Sequence, residues 1–424
     1  MELPIINPRN LLKNRELLYR LIISQFLYDG LEKIAREVQM IVKADDCSPS
    51  EQLLHYMISG IQNDKQFVEK NLDDDAGGID LEFEPEASSM APEPSCYETA
   101  YVTSHKQSCR SGAFSHDGQL VATGSVDASI KILDVDRMLA KSAPDEMDPG
   151  REQHGHPVIR TLYDHTDEVS HLEFHPKEYI LASASRDCSV KLFDISKPSV
   201  KKAHKIFSDC EPVTCMSFHP TGDYMAIGTE HPVLRIFDVN TSQCFVSAIP
   251  SQQHKSSVMC LKYSPTAKFL ASGSKDGSIK LWDVVSGRCI NTYQEAHSGA
   301  EVCSLQFTRN GKYILSSGKD SVVRLWEIST SRPIQIYTGA GTTGKQEHYA
   351  QAVFNQTEDY VMFPDEATTS LCSWNSRNGA RLNLMSLGHN GAVRYFVHSP
   401  NSPAFLTCSD DYRARFWFKR IISQ

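Results

Sequence analysis

Ser274, Asp276 and His254 are the residue types of a hydrolytic triad: a hydroxyl nucleophile, a carboxylate and a general base. Ser274 and Asp276 lie in the run GSKDGSIKLWD, residues 273–283, and His254 precedes Asp276 by 22 residues. Acyl transfer by such a set needs one copy, in one pocket, beside donors for an oxyanion. The chain carries the pattern repeatedly instead. His105 and Asp127, His165 and Asp187, and His389 and Asp411 are also 22 residues apart, and His297 and Asp320 are 23 apart. A polar set that recurs at a spacing fixed by strand length holds a fold together rather than turning over substrate.

The elements around these residues repeat with them. The runs GSVDASIKILD (124–134), SASRDCSVKLFD (183–194), SSGKDSVVRLWE (316–327) and TCSDDYRARFWF (407–418) match the quoted stretch. GTEHPVLRIFD (228–238) has His231 in place of Asp, and PDEATTSLCSWN (364–375) has Thr368, which makes seven copies. In the fourth copy, VMCLKYS (258–264) alternates as a first strand and KFLASGS (268–274) is a second. Asp276-Gly277 turns the chain into SIKLWDV (278–284), and RCINTY (288–293) forms the outermost strand. The repeat and its closing Trp-Asp resemble the WD40 family, whose unit is a four-stranded propeller blade. The resemblance implies that the leading His, the turn Asp, a Ser or Thr of the second strand and the third-strand Trp form one buried hydrogen-bonded set. In this chain Trp282, Trp326 and Trp417 are those tryptophans.

The expected fold is therefore an all-β seven-bladed WD40 β-propeller over 99–424, joined to a small all-α domain. Copies three and six lack the turn Asp, so their blades are expected to be the looser ones. The seventh copy ends without room for an outer strand, and YETAYVT (97–103) is expected to supply it and remove a free sheet edge.

Residues 1–70 change to helical periodicity. Leu18, Leu21, Ile22, Phe26, Leu31, Ile34, Val38 and Ile41 recur mostly three or four apart, with Leu27 among the excess apolar residues. Asp29-Gly30 interrupts them as a helical hairpin would, and Ser48, Pro49 and Glu51 form the start of a further helix. About seventy residues rarely make a sufficient core alone. LYRLIISQFLYDGLEKIARE also resembles a LisH-type dimerisation hairpin. The expected interface of a homodimer is Leu18, Leu21, Ile22, Phe26, Leu27, Leu31 and Ile34, the alternative being a lobe packed on the propeller.

Residues 71–98 read as an acidic linker. Positions 73–98 hold four Asp and five Glu with no Lys or Arg, which accounts for the whole net charge of −9. Within them IDLEFE (79–84) alternates Ile79, Leu81 and Phe83 against acids, a pattern for a sheet surface, a partner or a plain spacer. With pI near 6.0 and no basic block, the chain is not an electrostatic nucleic-acid binder by itself. No apolar run reaches a membrane span, and the first residues lack the pattern of a secretory signal. The 12 cysteines form no CxxC pair, so reduced thiols are expected rather than zinc ligands, and no metal or cofactor is implied.

The non-repeat segments are more specific. LIISQFLYDG, GIDLEFE, DGQLVATGSVDASIKILDVDRMLAKSAP, HPVIRTLYDH, YTGAG and FNQTEDYV are similar to the family of WD-repeat subunits of cleavage stimulation factor. That resemblance implies a nuclear, non-catalytic scaffold in the cleavage and polyadenylation of pre-mRNA 3′ ends. It implies a helical-repeat scaffolding subunit and an RNA-binding subunit as partners, a link to the RNA polymerase II C-terminal domain, and at most indirect RNA contact. Helical hairpins with WD repeats also occur in ubiquitin-ligase substrate receptors, which is the competing reading. In propellers of this type the residue before the turn Asp lies on a loop face. Arg186, Lys275 and Lys319 are therefore the candidate partner-binding cations.

Overall fold

The computed structural model describes residues 23, 26, 27, 32–42, 79, 81, 91–142, 155–197, 199–247, 249–340 and 349–419, within two units, Met1–Ala76 and Gly77–Gln424. In the first unit Glu32–Val42 is a helix, with Glu32 pairing to Arg36 one turn on. Its Ala35 is buried with Ile23, and Phe26, Leu27, Val38 and Val42 pack around them. Ile34, Met40 and Ile41 are exposed. Of the expected dimer residues, Phe26 and Leu27 thus support an internal core and Ile34 faces outward. Leu18, Leu21, Ile22, Leu31 and the helix expected after Ser48 lie outside the described residues.

The second unit is a seven-bladed propeller of four-stranded antiparallel sheets. Blade four runs Val258–Tyr263, Phe269–Ser274, Ile279–Asp283 and Cys289–Tyr293 from the axis outward. The burial pattern of its second strand, with five consecutive buried residues after Phe269, follows from neighbours on both faces. Blade seven takes its outer strand from the start of the repeat region. Glu98–Ser104 pairs antiparallel with Arg413–Phe418, so the two ends of the ring share one sheet.

Adjacent blades meet through a repeated small-to-branched contact. Gly124 of blade one, Gly228 of blade three and Gly273 of blade four each face the first valine of the next blade. A Cβ there would stand 2.7 Å, 2.9 Å and 2.7 Å from Cγ1 of Val169, Val258 and Val302 respectively. Side chains reinforce the contact: Ser111 Oγ donates to Val169 O at 3.1 Å and Ser170 Oγ to Val213 O at 2.6 Å.

Two additions complete the unit. Helix Val135–Ser142 follows blade one's third strand. Asp134 Oδ1 caps it at the Arg137 amide, and Val135, Met138 and Leu139 pack at the blade seven–blade one contact. Part of the stretch expected as a linker is pinned on the propeller. The Ile79 amide donates to Glu358 Oε2 at 2.9 Å, Asn310 Nδ2 donates to Ile79 O at 2.8 Å, and the Ala91 amide donates to Asp359 Oδ2 at 2.9 Å. Ile79 is buried in the cluster of Tyr313, Tyr337, Phe363 and Trp374, with Leu81 beside it.

Candidate functional site

The structure brings each leading His to its own blade's hairpin. In blades two, five and seven the contact is direct: His165, His297 and His389 place Nδ1 2.7, 2.9 and 2.9 Å from carboxylate oxygens of Asp187, Asp320 and Asp411. On the far side of each ring, Nε2 lies 2.6 Å from Ser183 Oγ, 2.8 Å from Ser316 Oγ and 2.8 Å from Thr407 Oγ1. Blades one and four differ by one atom. His105 Nδ1 is 2.9 Å from Ser129 Oγ and 3.8 Å from Asp127, and His254 Nδ1 is 3.1 Å from Ser278 Oγ and 3.5 Å from Asp276. Ser129 and Ser278 donate in turn to those carboxylates.

The tryptophans join these sets at the shared hydroxyl. Indole nitrogen only donates. Trp282 Nε1 donates to Ser272 Oγ at 2.8 Å, Trp326 Nε1 to Ser316 Oγ at 2.8 Å and Trp417 Nε1 to Thr407 Oγ1 at 3.1 Å. The same hydroxyl also bonds His Nε2, so indole and imidazole share it. Ser272, Ser316 and Thr407 are fully buried. Each such hydroxyl is held between indole and imidazole inside its blade, a structural position rather than that of a nucleophile facing a pocket.

Electrostatics agree with neutral imidazoles clamped to ionised carboxylates. Burial pushes His254, His297 and His389 below the usual imidazole range, and their aspartates only partly oppose it. Burial alone would raise Asp187 and Asp276. Hydrogen bonds from His165 and Ser189, and from His254 and Ser278, outweigh it and hold both well below the usual carboxylate range. The turn carboxylates also accept amides at the start of the blade, Lys106 to Asp127 at 2.9 Å and Lys255 to Asp276 at 2.8 Å. Each Asp therefore ties its turn to the incoming loop.

A cavity of about 430 Å³ is lined by inner strands, with His171, Glu173, Lys262 and Tyr395 in its wall and none of the five His–Asp pairs. Among the described residues no three His, Cys, Asp or Glu side chains are grouped to hold a metal ion.

Blade three holds a set that the His-to-Asp spacing hides. Asp209 precedes His231 by 22 residues, so the two residue types have exchanged positions. They do not pair with each other. Arg235 Nε instead lies 3.1 Å from Asp209 Oδ2, and Arg235 Nη1 donates to Thr229 Oγ1 at 3.2 Å. The signal was a cation four residues after the turn position: Lys131, Lys191, Arg235, Lys280, Arg324 and Arg415. Arg415 Nη2 reaches the carbonyl of Gly388, just before His389, at 2.7 Å, and Lys131 and Lys191 reach the equivalent Ser104 and Asp164 carbonyls. In blade six Thr368 donates to Asp365, and Trp374 Nε1 donates to Thr338 O at 3.1 Å.

The three cations before the turns are all paired. Arg186 meets Glu230 at 2.9 Å, and Lys275 and Lys319 meet Glu301 at 3.7 and 2.8 Å, with Lys319 also over the Tyr349 ring. Arg110 reaches Asp410 and Glu168, and Arg394 reaches Asp410 and Glu366. These five cations and five anions make the girdle neutral in sum.

Comparison with known proteins follows the same division. Residues 98–344 match the model of the IFT122 first beta-propeller and residues 382–417 the WD domain, G-beta repeat. Residues 10–65 match the dimerisation domain of cleavage stimulation factor subunit 1. The β-propeller domain of Myceliophteria thermophila Cps50 (Swd1) superposes with a TM-score of 0.63 at 16% identity, covering 77% of this chain and all of that one, a likeness of fold. Pre-mRNA-processing factor 19 of Oryza sativa subsp. japonica is 30% identical over 39% of this chain and 28% of its own. Cleavage stimulation factor subunit 50 of Arabidopsis thaliana is 39% identical over 326 residues, 77% of this chain and 74% of its own. A WD40 propeller and a matching dimerisation segment thus occur together on one chain, which belongs to the cleavage stimulation factor subunit 50 family.

Proposed function

We propose that the chain is a non-catalytic scaffold subunit of a cleavage stimulation factor complex, supporting 3′-end cleavage and polyadenylation of pre-mRNA in the nucleus. The observation that carries this reading is the joint match: a dimerisation segment of that factor at 10–65 and a relative of that factor aligned over most of the chain. The polar sets are structural in this reading. Their hydroxyls are buried and doubly committed, and leaving one partner of such a set unpaired costs about 1–3 kcal/mol. The domains act as 1–70 for homodimerisation, 71–98 as the connecting segment and 99–424 as the platform. A dimer doubles the number of docking faces, which raises avidity for a multivalent assembly.

Partners follow the family: a helical-repeat scaffolding subunit, an RNA-binding subunit and the RNA polymerase II C-terminal domain. The neutral girdle around Arg186, Lys275 and Lys319 suits a protein surface of alternating charge better than a polyanion, so RNA contact is indirect or weak. Affinity purification of the full chain from nuclear extract tests the reading. Recovery of polyadenylation factors is expected, and recovery of cullin and RING components in their place would favour the ligase-receptor alternative. Light scattering of Ile34→Asp should show monomer where the parent chain is dimeric, and a monomeric parent would remove the dimer from the proposal.

A further inference from the structure

The ring is closed by strand pairing alone, Glu98–Ser104 on Arg413–Phe418 within blade seven, and a side-chain link across the adjoining blade seven–blade one joint would make that closure covalent. Here that joint carries a residue pair found at none of the other described joints. The first residue of the inner strand is Val169, Val213, Val258, Val302 and Val393 in blades two, three, four, five and seven, and Cys109 in blade one. Its neighbour across the joint is a small second-strand residue. Gly124, Gly228 and Gly273 occupy that position by pairing with Ser111, Cys215 and Cys260, and Cys408 occupies it by pairing with Tyr395. A Cβ at each of the three glycines would stand 3.1 Å from the facing valine Cβ. Cβ atoms joined through a disulfide stand about 3.5–4.5 Å apart, so a slight relaxation of this joint geometry suits the bond.

Both thiols flank one carbonyl at the joint. Cys109 and Cys408 are both fully buried. Cys109 Sγ lies 4.0 Å and Cys408 Sγ 3.5 Å from the same carbonyl, Ser111 O. We propose that Cys109 and Cys408 are a redox-sensitive staple that closes the ring covalently when the protein meets a hydroperoxide. Burial raises a thiol, yet the neighbouring Cys408 and His105 side chains outweigh it at Cys109 and bring that group down, while Cys408 is pushed up. Cys109 is the attacking sulfur. It takes the terminal peroxide oxygen to become a sulfenic acid, releasing alcohol or water. Cys408 Sγ then attacks that sulfur, forming the S–S bond and releasing water. The two thiols lose two electrons and the peroxide gains them. Because neither thiol is exposed, reaction follows transient opening of the joint, and the bond then traps the closed ring.

The test uses the full chain carrying Cys96→Ser, Cys210→Ser and Cys244→Ser, which removes the thiols that are exposed among the described residues. After tert-butyl hydroperoxide, denaturation in N-ethylmaleimide and digestion, a Cys109–Cys408 linked peptide pair is expected, about 2 Da lighter than the summed peptides. The melting temperature should rise by about 5 °C and return to its starting value on reduction. Cys109→Val with Cys408→Gly rebuilds the pair used at other joints, and should fold, form no linked peptide and show no shift. Recovery of both cysteines as maleimide adducts from the treated, folded chain would overturn the proposal. So would an equal shift in the Val/Gly variant.

Discussion

Blades three and six have both lost the turn Asp, and they are held in different ways. Blade three keeps a polar staple with new partners, Asp209–Arg235–Thr229. Blade six relies on apolar packing: Trp374, Phe363, Phe354 and Tyr337 are buried together, and Ile79 enters from outside the repeat. Neither replacement orders the blade's edge as well as the His–Asp set does. The outer strands are Cys244–Phe245 in blade three and Met385–Ser386 in blade six, two residues each, against five in blades four and five. The difference teaches that the propeller demands a tie between loop and hairpin, while its chemistry is negotiable.

Blade six should be the easier to break. Trp374→Ala removes a buried indole from a packed cluster and is expected to cost about 3–5 kcal/mol in chemical denaturation. A loss below that of an average surface substitution would mean that blade six has another support. In blade three, Asp209→Ala leaves Arg235 without its carboxylate, and a loss of about 1–3 kcal/mol is expected. Asp209→His with His231→Asp should recover most of it by rebuilding the usual set, as Arg324 coexists with His297 and Asp320 in blade five. Failure of the exchange would show that blade three's backbone no longer fits imidazole.

Acid separates the blades further. His254, His297 and His389 have folded pKa values below the ordinary imidazole value, so the folded state binds fewer protons than the unfolded one. Their contribution is complete above the unfolded pKa of about 6.5 and drains as pH falls from there toward the folded values. Amide exchange measured at neutral and mildly acidic pH, corrected for intrinsic rates, should quicken in blades four, five and seven and change less in blade three. Smaller still is Ile79→Asp. It should release residues 79–97 to protease while shifting global stability by about 1 kcal/mol or less, because the segment opens locally. The triple reversal Arg186→Glu, Lys275→Glu and Lys319→Glu breaks exposed pairs worth about 0–1 kcal/mol each, and stability should hardly move.

Much of this architecture is legible before any coordinates. Asp276-Gly277, the 22-residue step from His to Asp and the alternating strands are local signals, each read within one copy of the repeat. What escapes is non-local or inverted. Asp209 and His231 keep the step but exchange roles, and Asp209's true partner is Arg235, visible only when the cation positions are aligned across copies. Ile79 sits in a stretch whose composition says spacer, and its anchor, Glu358, lies 279 residues away. Helix Val135–Ser142 begins where a WD repeat ordinarily turns into its outer strand. Its signals, Asp134 as cap and Val135, Met138 and Leu139 on one face, were present but masked by the stronger repeat.

The decisive comparison is between folding and function in one variant. An extract depleted of this chain and restored with His297→Gln, at a temperature where the variant's folded fraction is known from circular dichroism, should cleave pre-mRNA in proportion to that fraction. Cleavage abolished while the folded fraction equals that of the parent chain would contradict a structural role for the imidazole sets.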